Sequence, residues 1–63
     1  MNKINTANKF MVGVQGKNVI VGMPPRVPIS PDDAMLFAAY LVSMAEMDTE
    51  TKFEYVLEAV QNC

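Results

Sequence analysis

Residues 30–47 read SPDDAMLFAAYLVSMAEM, and this stretch decides the fold because it is a helix with almost no polar side. Ser30 suits an N-cap, and Pro31 falls at the first helical position, where its missing N–H leaves nothing unsatisfied. Asp32 and Asp33 place negative charge on the positive end of the helix dipole. At about 100° per residue, Phe37, Leu41 and Met44 share one sector, Met35 and Val42 lie roughly opposite, and Leu36, Tyr40 and Met47 fill a third. Only Ala39, Ser43 and Glu46 form a weakly polar strip. A helix patterned this way needs cover on more than one side. Its apolar stretch over 34–45 is well short of the roughly 20 residues of a membrane span, and acids bound it. A buried central helix over 31–47 is therefore expected, not a transmembrane one.

Beyond Met47, the segment DTET supplies a short acidic turn, and Thr51 followed by Glu54 has the spacing of a capping box. A second helix is expected over 49–62. Phe53, Val56, Leu57 and Val60 recur at helical spacing while Lys52, Glu54, Glu58 and Gln61 face away, so this helix is amphipathic. Its apolar side is expected to pack back on the central helix as an antiparallel pair.

On the other side of the central helix, PPRVPIS over 24–30 together with Pro31 holds all four prolines of the chain, which favours a stiff extended linker. The sequence from Pro25 to Pro28 fits P-x-x-P, but that pattern is too common to indicate a ligand for an aromatic groove. Residues 10–14 (FMVGV) and 19–23 (VIVGM) flank a Gly-containing turn, a β-hairpin signature over 10–23. Gly16 leading a two-residue loop suits a type II′ turn. Pairing Val14 with Val19, Val12 with Val21 and Phe10 with Met23 places these six on one face and Met11, Gly13, Ile20 and Gly22 on the other. The glycine-bearing face invites close approach by a helix or another backbone. Residues 1–9 are polar and without periodicity, and read as a flexible arm. The expected fold is α+β, a single domain over 1–63 in the order ββαα.

Sixty-three residues support only a marginal core. With one cysteine, Cys63, and no histidine, neither a disulfide framework nor a structural metal site supplements it. Self-association is the remaining route, and a homodimer is expected. Its interface candidates are Met35, Phe37, Ala38, Leu41, Val42, Met44 and Ala45, where flexible thioethers sit beside small alanines. No apolar segment of signal-peptide length follows the first lysines, so a cytoplasmic protein is expected. Residues 1–31 carry four cations and no acid, whereas residues 32–63 carry seven acids against Lys52.

This asymmetry raises the alternative of a small dimeric DNA-binding regulator whose basic β-ribbon presents Lys9, Lys17 and Arg26. The cations are spread rather than clustered, and the chain carries a net −2, which weakens that reading. Enzymatic chemistry is not expected: no acid/base pair or activated nucleophile is evident, and Cys63 stands at the chain end with no histidine to activate it. Asp32 and Asp33 point about 100° apart on a helix, which fits dipole charges rather than a catalytic dyad. Gly13, Gly16 and Gly22 match no phosphate-loop spacing, and no cofactor is expected.

The length and the opening MNKINTANKFMVGVQGKNVIVG resemble the small early proteins of the exo–xis region of lambdoid bacteriophages. The resemblance covers the chain as a whole and carries no motif of known chemistry. It implies an accessory protein made in the bacterial host cytoplasm, in a region associated with host DNA replication, the host cell cycle and the choice between lysis and lysogeny. Together, residues and resemblance lead to the expectation of a non-enzymatic protein that binds a host protein and modulates phage development or host physiology.

Overall fold

The structure, a computed structural model, describes residues 6–63, so the first five positions of the expected arm lie outside the described residues. The chain is α+β in the order ββαα. Strands β1 (Val12–Gln15) and β2 (Asn18–Val21) form an antiparallel hairpin, followed by helix α1 (Pro31–Ala45), a 3₁₀ turn (Glu46–Asp48) and helix α2 (Phe53–Gln61).

The hairpin has the expected register: Val12 faces Val21, Val14 faces Val19, and Gln15 faces Asn18 across the turn. Gly16 takes φ +63 while Lys17 stays at negative φ, the combination that a type II′ turn requires. Regular pairing stops at Val12 instead of reaching Phe10. Met11 adopts φ +51, and its N–H turns back to the carbonyl of Asn8 at 3.2 Å. Its own carbonyl still accepts from Gly22 N–H at 3.1 Å, and Phe10 O accepts from Met23 N–H at 3.0 Å, so the ribbon continues as an irregular pair. Gly22 permits a close approach there: a Cβ would lie 3.2 Å from the Cβ of Met11, which would have to give way by a few tenths of an ångström. The close approach expected on the glycine face thus comes from within the ribbon, and no helix covers it.

Helix α1 begins as its sequence dictates. The Ser30 hydroxyl accepts from Asp33 N–H at 3.1 Å, with Pro31 opening the helix. Ser30→Ala is expected to cost about 1 kcal/mol, read as a lower urea midpoint with unchanged slope. The helix ends at Ala45 and tightens into the 3₁₀ turn two residues before its expected limit. Glu46, Asp48 and Glu50 crowd the negative end of its dipole, and its last turn holds no base to offset them.

The hairpin covers one side of α1. Phe10 and Val12, at 9% and 4% exposure, are the buried residues among those described, and the Phe10 ring lies 4.6 Å from that of Phe37, tilted by 42°. Residues 6–9 of the expected arm make polar contacts. Asn8 Oδ1 accepts from Val12 N–H and Asn8 Nδ2 donates to Val12 O, both at 2.9 Å; Lys9 pairs with Asp33 at 2.8 Å; and the Tyr40 hydroxyl donates to the carbonyl of Thr6. Polar side chains tie this segment down, a possibility that the absence of apolar periodicity concealed.

Helix α2 departs most from expectation, both at its start and in its packing. Lys52 at its N-terminus is extended (φ −87, ψ 132), so Thr51 stands one residue too early to cap it, and the capping box with Glu54 does not form. Instead Thr51 N–H donates to the Thr49 hydroxyl at 3.1 Å, a local turn that competes with helix initiation. Every residue of α2 is exposed, and its apolar side does not close against α1.

Candidate protein-interaction surface

The described residues bring no three His, Cys, Asp or Glu side chains together in a metal-binding group, and Cys63 is exposed at the end of α2. What the fold assembles instead is apolar surface. The chain exposes 5579 Å², against about 4,000 Å² for a compact monomer of its mass. Residues 1–5 do not account for the surplus, since an unfolded segment of that length carries only about 900 Å².

This surface has two parts on opposite sides of the molecule. The first is the outer face of the hairpin, where Met11 and Ile20 stand exposed beside Gly13 and Gly22. Because Gln15 and Asn18 close a two-residue loop, the alternation of hydrogen-bonded pairs points the backbone groups of Val19 and Val21 outward along the free edge of β2. The corresponding outward groups of Val12 on β1 are taken by Asn8.

The second part lies on α1 away from the hairpin and continues onto α2. Phe37 marks the hairpin side of α1 through its contact with Phe10. At about 100° per residue, Leu41 and Met44 fall near it, while Met35, Ala38, Val42 and Ala45 turn away. The interface candidates therefore divide. Phe37, Leu41 and Met44 are half-buried on the hairpin side, and Ala38, Val42 and Ala45 are half-buried on the other, where Met35 is 72% exposed. Val42 and Ala45 join Phe53 and Val56 around a shallow groove of about 140 Å³. That is below the roughly 300 Å³ at which small-molecule pockets begin. From this groove the exposed Leu57 and Val60 continue along α2.

The expected packing of the α2 stripe on α1 does not form: its amphipathic pattern is legible in the sequence, but nothing in a helical period tells which surface will cover it.

The three candidate nucleic-acid contacts stand on three different segments. Lys9 is held by Asp33, Lys17 projects from the hairpin turn, and Arg26 lies in the proline-rich linker. Lys9→Gln is expected to lower stability by about 0.2–1 kcal/mol at low salt, with the difference from the parent chain shrinking as salt screens the partly exposed pair. Paired thermal melts at low and high salt would measure this. No helix among the described residues is long and apolar enough to cross a membrane. Comparison of the chain with protein-family models, with curated proteins and with solved structures found no match.

Proposed function

We propose that this chain is a small non-enzymatic accessory protein of bacteriophage origin, a homodimer that binds a bacterial host protein and thereby modulates phage development or host physiology. The observation that supports it is the imbalance of burial: among the described residues only Phe10 and Val12 are buried, while both sides of the fold present apolar side chains to solvent. A monomeric soluble domain rarely leaves large contiguous apolar surface uncovered, and where it does the surface marks an interaction site. The outer hairpin face, with Met11, Ile20 and the free edge of β2, is the surface proposed for the host protein, because an exposed strand edge offers unpaired backbone groups to an added strand.

The test is site-specific photo-crosslinking in the bacterial host with the reactive group at position 11. Recovery of one host protein at fixed stoichiometry, lost when Ile20→Glu is introduced into the chain labelled at position 11, would support the reading. A shifted frequency of lysogeny on expression of the parent chain, but not of Ile20→Glu, would connect binding to phage development. Capture of nothing beyond what Ile20→Glu captures would overturn it.

A further inference from the structure

We propose that a second copy of this chain covers the apolar side of α2, with the α2 of each copy laid across the Met35 and Val42 side of the other copy's α1. The proposal rests on the dimeric reading above and assigns the dimer its surface.

Helix α2 has the residue pattern of a core helix and no core to enter. Phe53, Val56, Leu57 and Val60 form one side, Glu54, Glu58 and Gln61 form the other, and none of the four apolar residues is buried within the chain. Phe53 and Val56 border the groove at the end of α1, but Leu57 and Val60 reach past it, Val60 at 67% exposure. Nine residues gain little helical stability from propensity alone, so α2 depends on a partner surface to persist.

The area fits a second copy. After a generous allowance for residues 1–5, the surplus exposed surface is on the order of 700 Å² per chain, close to the roughly 800 Å² that each partner contributes to a standard interface. Contact of α2 with α2 alone would fall short, because a nine-residue helix is only about 13 Å long. Engaging the opposite side of α1 supplies the rest. There the small side chains of Ala38 and Ala45 stand beside Met35 and Val42, so a crossing helix can approach closely.

Charge selects the same arrangement. Residues 46–63 hold five acids and one lysine, so a seam of α2 against α2 would oppose two segments of net −4. Crossing instead to the other copy's α1 replaces that like-charge seam by contact with a helix whose residues 34–45 carry no charge. The tether permits the reach: Thr49 and Lys52 are extended, and residues 49–52 are exposed. The interface is two-fold symmetric, each copy giving one α2 and receiving one, and it leaves the outer hairpin face free for a different protein.

Sedimentation of the full chain at micromolar concentration tests the proposal, with Val60→Glu as the disrupting variant and Val27→Glu, on the exposed linker, as the control. The parent chain and Val27→Glu should sediment as dimers. Val60→Glu should raise the dissociation constant at least about tenfold, because it places an unpaired charge in the apolar seam. A monomeric parent chain would overturn both the dimeric reading and this inference. A dimeric parent whose dissociation constant is unmoved by Val60→Glu would overturn the inference alone.

Should Val60→Glu fail to fold, a spin label on the native Cys63 decides the matter. Unlabelled chain carrying the spin label is mixed with isotope-labelled chain. Intermolecular broadening of the Met35 and Val42 amides beyond that of Lys17 supports the arrangement. Broadening of Lys17 as strong as theirs, or none at all, overturns it.

Discussion

Replacing Phe10 by alanine is expected to unfold the chain. Phe10 is one of two buried residues among those described, and its ring meets Phe37 across the seam between hairpin and central helix. Truncating a buried phenylalanine costs about 3–5 kcal/mol, of which the aromatic pair accounts for about 0.5–1.5 kcal/mol. A domain of this length has a total stability of roughly 3–9 kcal/mol, so the loss removes from about a third to the whole of it, and the lower half of that range leaves the chain unfolded. Far-UV circular dichroism with a urea titration checks this, and a cooperative transition at the parent's midpoint would show that the seam is not where the stability lies. Phe10→Leu keeps most of the apolar volume and is expected to retain the fold with a lowered midpoint.

Asn8→Ala is expected to destabilise the chain by about 1–3 kcal/mol, a large effect for a side chain that is itself exposed. One amide satisfies both backbone groups of Val12, accepting from its N–H and donating to its carbonyl at 2.9 Å each. In the register of the hairpin these groups point away from β2, so without Asn8 they would be left at an open edge beside a side chain only 4% exposed. The side-chain amide thus stands in for the backbone of a third strand. Hydrogen exchange at the Val12 amide is the direct readout: it should be protected in the parent chain and exchange much faster in Asn8→Ala. Asn8→Asp should recover only part of the loss, because a carboxylate can accept from Val12 N–H but has no proton to donate to Val12 O. Equal exchange in the parent chain and Asn8→Ala would show that the bonds contribute nothing.

These two residues also locate the hinge of the proposed function. Phe10 seats the hairpin on α1 and Asn8 closes the outer edge of β1, which leaves the outer hairpin face and the free edge of β2 toward solvent. The same packing uses the Phe37 side of α1 and leaves the Met35 side open. The apolar side chains left over stand on two separate surfaces, the outer hairpin face and the Met35 side of α1 with the α2 stripe.

The sequence by itself determined every element whose formation is local. Ser30, Pro31 and the two aspartates fix where α1 begins, because a cap needs only its own next three residues. Gly16 in a two-residue loop fixes the hairpin register, since a turn type and a period of two leave one pairing that gathers the valines on a single face. The ββαα order followed from these. Only the tertiary structure decided which apolar faces meet. It joined the Phe10 face to Phe37, held residues 6–9 through Asn8, Lys9 and Tyr40, and left the stripe of Phe53, Val56, Leu57 and Val60 open. Periodicity shows that a face is apolar, but the hydrophobic effect has no direction, and a face gains the same stabilisation from any apolar partner within reach. Whether that partner is the same chain depends on the path of residues 46–52, which here holds an acidic 3₁₀ turn and a Thr49 hydroxyl bond ahead of α2.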